Sequence, residues 1–391
     1  MKVRVVFFVN FLTRVFGTTA SLITVRSVPV PCQNLTRNFA IVCFLTGGNH
    51  MGYVLNQDGF GKAIAELQQT YRIFAPVVKI GAGRHKDVDV IIYDEIKDAS
   101  EIELHKKSDY SAKEVLTPLS ETLFYFTEDQ VKEADLSQKP VLIFMRSCDM
   151  HAIKRQDDIY LRNGGEKDWF YQRRRDLVKF VLIGCQSSYE NCFCVDMMSN
   201  ITEDGYVFSV DEKDGEFRIN VLDDSVDSIF DAVKSSTADV TPAHVTENKT
   251  RVRVPENIPF DIVKHPLWDE YTTRCIGCGR CNFVCPTCTC FTMQDVFYTD
   301  NGKVGERRRV GASCMVDGYT NVAGGGQYRR TQGERMRFKV LHKILDHRKR
   351  FGYDMCVGCG RCDDVCPEYI SYSNIINKVA DAVDAMEKEA K

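Results

Sequence analysis

Acidic residues are missing from the start of this chain: no Asp or Glu occurs between Met1 and His50. Lys2, Arg4, Arg14, Arg26 and Arg37 give that stretch five positive charges, leaving 46 basic against 54 acidic residues in the remainder. Over all 391 residues, 51 Lys and Arg face 54 Asp and Glu, so the chain lacks the basic surplus of a protein held to nucleic acid by phosphate contacts. Also absent is any apolar run near the roughly 20 residues that span a bilayer. The longest candidate, Val5 to Leu12, is broken by Asn10. There is no Walker loop and no H-E-x-x-H, and Gly81-Ala82-Gly83 is followed by Lys86 where a dinucleotide fingerprint needs its third Gly. Among the eight histidines no acid–base constellation stands out. What the chain has in quantity is apolar material, with 23 Phe and 16 Tyr, which excludes disorder, and cysteine, of which there are 17.

Three origins compete for residues 1–50. A secretory signal would put Lys2 and Arg4 ahead of Val5 to Leu12, but no A-x-A cleavage site follows. An organellar transit peptide would suit the arginines and the missing acids. The favoured expectation is upstream sequence read from a start placed too early, with Met51 the true start, because the segment has no consistent amphipathic or secretory pattern. It should carry no function.

Patterned sequence begins at Met51. Phe60, Ile64 and Leu67 place an amphipathic helix over Asn56 to Thr70. Arg72 to Val78, Val88 to Tyr93 and Phe180 to Ile183 read as strands, and Glu121 to Phe126 and Pro140 to Met145 are further apolar runs, the latter a buried strand. Tyr206 to Val210 and Glu216 to Val221 flank Lys213-Asp214-Gly215 as a hairpin. Alternation of strand and helix signals implies a mixed α/β domain over 51–249, with the polar stretch Lys234 to Arg253 as linker. From 250 to 391 strand signals are few. Val340, Leu341, Ile344 and Leu345 mark a helix over Arg337 to Phe351 with a basic outer face, and Ser371 to Glu387 is another. The fold class expected is α+β, a mixed α/β domain followed by a mostly helical domain.

The C-terminal part contains a repeat. Cys275-x2-Cys278-x2-Cys281-x3-Cys285-Pro286 recurs as Cys356-x2-Cys359-x2-Cys362-x3-Cys366-Pro367. This is the bacterial ferredoxin run, in which three closely spaced thiolates and a fourth from the other run hold a [4Fe–4S] cube. Crossed ligation assigns Cys275, Cys278, Cys281 and Cys366 to one cluster, and Cys285, Cys356, Cys359 and Cys362 to the other. Zinc knuckles need no third Cys in register and no Cys-Pro, and disulfide frameworks belong to small secreted chains. Cys281-x3-Cys285-x2-Cys288 has radical-SAM spacing, but Thr287 replaces the usual aromatic and two of its cysteines are already committed. Arg280 and Arg361 lie inside the two clasps, where their charge would favour reduced clusters or simply serve solubility. Cys288, Cys290 and Cys314 read as buried thiols near the clusters, less often as ligands.

Four more cysteines, Cys148, Cys185, Cys192 and Cys194, lie in the α/β region. Cys148 and Cys185 each follow a strand expected to be parallel, so they should converge at one sheet edge, where the loop to Cys194 could join them. A third [4Fe–4S] cluster is the reading favoured, with Asp149 able to stand in for one thiolate. Buried thiols and an all-thiolate zinc site remain the alternatives. The basic clusters Arg173 to Arg175, Arg307 to Arg309 and Arg329-Arg330 are most simply solvated or packed against carboxylates, and Gly324-Gly325-Gly326 is a turn rather than a phosphate cradle.

Several segments together carry a resemblance. Met51-Gly-Tyr-Val-Leu, Tyr71-Arg-Ile-Phe-Ala-Pro-Val, Arg146-Ser-Cys-Asp-Met-His-Ala-Ile and Asn191-Cys-Phe-Cys-Val-Asp are four of them. Cys285-Pro-Thr-Cys-Thr-Cys-Phe, Gly305-Glu-Arg-Arg-Arg-Val and the tail from Cys356 to Ser371 are the others. In combination the chain from Met51 to Val383 resembles the A-type iron–sulfur component of the anaerobic sulfite reductases, itself similar to sulfhydrogenase β subunits; residues 1–50 have no counterpart there. The resemblance implies an iron–sulfur electron carrier with no substrate site of its own. Its implied donor is a flavin- and NAD-binding B-type subunit, and its implied acceptor is a sirohaem-containing C-type subunit. Cytoplasmic location and anaerobic expression are implied with them. A [NiFe] hydrogenase β-type subunit is the near alternative, and a stand-alone iron–sulfur enzyme the alternative of a different class.

Overall fold

The computed structural model describes residues 4–6, 42–44, 51–83 and 87–389. Arg4–Val6 pairs antiparallel with Val42–Phe44; the other residues of the first fifty, and Lys86, lie outside the described residues, and with them the readings made there. The described residues from Met51 onward pack as one compact unit.

That unit is built on a mixed eight-stranded sheet. Its strands are β1 (Met51–Leu55), β2 (Arg72–Lys79), β3 (Val90–Glu95), β6 (Val141–Arg146), β7 (Val178–Ile183), β8 (Phe208–Lys213), β9 (Glu216–Val221) and β10 (Ser236–Asp239). Their order is β10-β1-β9-β8-β7-β6-β2-β3. The central strands β2, β6, β7 and β8 are parallel, with antiparallel flanks. The apolar run in β6 reflects burial on both faces: Leu142 and Phe144 join one core, Ile143 and Met145 the other. In β7, Val181 and Ile183 face the first core while Phe180 and Leu182 face the second. Helix α1 (Gln57–Thr70) begins where the Asn56 side chain accepts the Gly59 amide at 2.8 Å. Its Phe60, Ile64 and Leu67 are fully buried in the first core, and Phe60 stacks on Phe217 at 4.2 Å. Full burial of each such side chain contributes roughly 1.5–3 kcal/mol. Helix α2 (Ser147–Asp157) follows β6 directly and carries Cys148 and Asp149 in its first turn.

Part of the stretch expected as a linker is not one. Ser236–Asp239 adds an edge strand beside β1, because a polar alternating segment suffices where only one edge is paired. A second, antiparallel sheet has the order β11-β12-β4-β5, from Phe291–Phe297, Gly305–Gly311, Ser120–Phe126 and Val131–Glu133. It joins strands from both sides of position 250. The insert between the cysteine runs thus opens with a hairpin where few strand signals were read. The reason lies in its residues: β11 is largely exposed and β12 is arginine-rich, so neither shows a buried-strand pattern.

Arg173 to Arg175 and Arg307 to Arg309 are stitched to carboxylates. Arg309, buried, bonds Glu121 at 3.0 Å and Asp168 at 2.7 Å; Arg307 pairs with Asp295 and Arg174 with Glu121. Helix α4 (Gln332–Leu341) starts earlier than its apolar stripe suggested, at a capping box of Thr331 and Glu334, and continues through a π segment to Phe351. Helix α6 (Tyr372–Glu389) buries Ile375, Ile376, Val379 and Val383 against it in a third core.

Candidate iron–sulfur centres

Each cysteine run is a tight loop that its glycines make accessible. Gly277, Gly279, Gly358 and Gly360 have φ of +69°, +74°, +62° and +72°, a region that costs other residues roughly 1–2 kcal/mol. Gly279 and Gly360 lead into the short helices α3 (Arg280–Phe283) and α5 (Arg361–Val365), which carry Cys281 and Cys362. The Gly277 amide bonds the Cys275 thiol, the Gly358 amide bonds that of Cys356, and the Ile370 amide donates to Cys366 Sγ at 3.3 Å.

Two cavities result. Cys275, Cys278, Cys281 and Cys366 line one of about 480 Å³, with Cys362 in its wall. Cys285, Cys356, Cys359 and Cys362 line another of about 340 Å³. The cavities adjoin at Cys362, Lys339 and Tyr372, which belong to both. The first thus brings three thiols of the first run together with two of the second, Cys366 and the shared Cys362, and the other brings three of the second run together with Cys285. Among the described residues no three His, Cys, Asp or Glu side chains converge closely enough for a single metal ion. An all-thiol donor set drawn from two Cys-x2-Cys-x2-Cys runs fits the ligation of a cube. Cys278 is exposed, while Cys356 and Cys359 are buried, so the first cavity lies nearer the surface.

Three buried lysines went unrecognised in the sequence. Lys339 and Lys343 belong to the helix over Arg337 to Phe351, whose basic face the sequence places outward, yet they are 4% and 3% exposed and turn inward. Burial opposes the charge on Lys339, but the thiolates of Cys281 and Cys362 outweigh it and raise its pKa. Lys343 donates to Thr287 Oγ1 at 2.6 Å and is likewise raised, with Cys285 and Cys288 outweighing burial. Lys113 donates to the carbonyls of Asn282 and Cys288 at 3.0 and 3.2 Å. The only available signal was the i, i+4 spacing of Lys339 and Lys343 beside an apolar stripe, and hydropathy alone assigns such residues to water.

The two clasp arginines diverge. Arg280 is exposed, but Arg361 is fully buried and makes a bidentate pair with Asp149 at 2.7 and 2.8 Å, also bonding the Ser108 carbonyl and hydroxyl. Solubility is thus no role for Arg361, and Asp149 is committed to the guanidinium rather than free to ligate iron.

The α/β cysteines gather against the second run. The register Arg146↔Ile183 puts Cys148 and Cys185 each two residues past a paired position of parallel strands. Cys192 and Cys194 are buried beside the loop of Gly358, whose carbonyl accepts the Phe193 amide at 2.8 Å. Cys192 Sγ donates to the Cys359 carbonyl at 3.5 Å, Cys148 packs on Val357 and Cys359, and Cys194 Sγ meets Asn248 Oδ1 at 3.7 Å. Burial, reinforced by Cys192, pushes the Cys194 thiol up to about 12. Unlike the two ferredoxin sets, these four do not jointly line any of the cavities described above.

Residues 274–370 match the family model described as a 4Fe-4S dicluster domain, which makes this segment an iron–sulfur module that carries [4Fe–4S] clusters. Over 352 residues the chain is 28% identical to sulfhydrogenase 2 subunit beta of Pyrococcus furiosus, covering 85% of this chain and all of the relative. No solved structure matches. No helix among the described residues is long and apolar enough to cross a membrane.

Proposed function

We propose that this chain is the iron–sulfur electron-transfer subunit of an anaerobic, cytoplasmic sulfite reductase complex. In this reading it relays single electrons from a flavin- and NAD-binding subunit to a sirohaem-containing subunit. The observation that carries the relay is the pair of adjoining thiol-lined cavities, one near the surface and one buried. Cys275, Cys278, Cys281 and Cys366 would hold one [4Fe–4S] cluster, and Cys285, Cys356, Cys359 and Cys362 the other. When bound, such clusters supply one-electron redox chemistry. The chain itself fixes the thiols with glycine amides, balances their charge with Lys339 and Lys343, and excludes water through Tyr372 and the third core.

A second reading, a β-type electron-transfer subunit of a sulfhydrogenase or [NiFe] hydrogenase, is favoured by the Pyrococcus relative. Anaerobic purification from the native host with cofactor analysis of the copurifying subunits separates the two. Sirohaem with flavin is expected; nickel would establish the hydrogenase reading, and sulfite turnover by the isolated chain would overturn both. Iron analysis decides the third set: about eight irons per chain leave Cys148, Cys185, Cys192 and Cys194 as thiols, and about twelve place a cube among them.

A further inference from the structure

Three described cysteines belong to neither ferredoxin set nor the α/β group: Cys288, Cys290 and Cys314. Cys290 immediately precedes β11 and Cys314 follows the end of β12. Phe291 pairs with Gly311 and the Ala312 amide donates to the Cys290 carbonyl at 2.9 Å, so both cysteines lie at the same end of the hairpin. Their thiols are hydrogen-bonded to each other. Asn282 Nδ2 donates to Cys314 Sγ at 3.1 Å, and the Tyr319 hydroxyl bonds Cys290. Cys314 is buried and Cys290 half-buried. Both line a cleft of about 610 Å³ with Cys288, Tyr319, Arg329 and Lys343.

We propose that Cys290 and Cys314 form a redox-active dithiol that exchanges with small-molecule disulfides entering this cleft, Cys290 attacking and Cys314 resolving. The bond between the two thiols and the backbone bond from Ala312 to Cys290 hold the two residues side by side, the arrangement that a disulfide requires. The hydrogen bond from Cys314 pulls the Cys290 thiol down to about 6, with Lys343 assisting against burial, and the same bond holds the Cys314 proton in place. A thiolate is the attacking species in such exchange. It forms a bond to one sulfur of the incoming disulfide and breaks the old sulfur–sulfur bond, releasing one small thiolate. That leaving group takes the Cys314 proton, and the Cys314 sulfur then attacks Cys290 and displaces the second small thiolate. One disulfide, one thiolate and one thiol become the Cys290–Cys314 disulfide, one free thiol and one free thiolate; two electrons pass to the small molecule. Cys288 is not part of the pair, since its thiol bonds Cys285. The exchange needs no iron, so it stands or falls apart from the relay reading. Its position gives the relay a two-electron neighbour, because Lys343 lines both this cleft and the cavity of Cys285.

The test uses the full chain, purified anaerobically and equilibrated in buffers spanning reduced to oxidised dithiothreitol. Free thiols are then blocked with N-ethylmaleimide, peptides mapped by mass spectrometry, and iron counted in parallel. The expected result is one peptide pair joined through Cys290 and Cys314, appearing in a single two-electron transition with iron content unchanged. Cys314→Ser should trap Cys290 as a mixed disulfide with hydroxyethyl disulfide, and Cys290→Ser should leave Cys314 unmodified by it. Absence of the joined peptide from the wild-type chain at every buffer ratio overturns the proposal. So does linkage of Cys290 to Cys288, or loss of about four irons per chain in either folded serine variant, which would make these thiols cluster ligands. Should both variants fail to fold, the wild-type peptide map decides alone.

Discussion

Replacing Lys339 with Met should lower the reduction potential of both ferredoxin-type clusters. The lysine is 4% exposed, sits in the wall of both cavities, and holds its ammonium 5.3 Å from the centre of the Tyr372 ring that they share. A reduced cluster carries one more negative charge than an oxidised one, so a nearby cation stabilises the reduced form and its removal makes reduction harder. A unit charge about 6 Å from the added electron, at an effective dielectric near 20, contributes roughly 3 kcal/mol. For a one-electron couple that is roughly 120 mV. Lys343 and relaxation around the apolar replacement offset part of it, so a fall of roughly 50–120 mV is expected. An anaerobic redox titration followed by electron paramagnetic resonance reads both clusters in one sample. Lys339→Arg, which keeps the charge, should stay within about 30 mV of wild type. The reasoning is refuted if Lys339→Met moves neither potential by more than about 20 mV, or raises them, in a variant that keeps its iron.

Other outcomes follow from the same geometry. Cys366→Ser should disturb the cluster held with Cys275, Cys278 and Cys281 and spare the one nearer in sequence, as Mössbauer spectra of the two sites would report; the opposite assignment would end crossed ligation. Arg361→Met strands a fully buried Asp149 carboxylate and should cost roughly 3–5 kcal/mol in denaturant unfolding, with much of that recovered in the double variant with Asp149→Leu. Gly358→Ala forces a left-handed backbone and drives a Cβ to 2.5 Å from the Phe193 backbone, so roughly 2–5 kcal/mol is expected. Gly352→Ala, also at positive φ but with nothing within 4 Å, should cost only about 1–2 kcal/mol, and equal losses would refute the steric argument. Asp223 is held down to about 2 by hydrogen bonds from Lys179 and then Ser225. Its folded pKa lies below its unfolded value, so its stabilisation is full above about pH 4 and lost as pH falls towards 2. Asp223→Asn should flatten that part of the acid-unfolding curve.

The sequence by itself determined the elements whose cause is local. Apolar periodicity located α1, the doubly buried strands β6 and β7, and the closing helix, because a 3.6-residue or unbroken apolar pattern has one way to be buried. The two cysteine runs were legible for the same reason: thiols at such close spacing, with glycines between them, have few uses other than a cube. Tertiary structure decided what depends on partners far along the chain. That Ser236–Asp239 is a strand follows from the free edge of β1, and that the Arg307 to Arg309 strand exists follows from carboxylates about 140 and 190 residues earlier. Lys339 and Lys343 face inward because thiols from both runs meet beneath them, and Arg361 is a buried lock because Asp149 lies across from it. The contact between Cys290 and Cys314 likewise comes from the return of a hairpin, which no spacing in the chain announces. A buried charge or a paired thiol is defined by what compensates it, and the fold alone brings that compensating group into place.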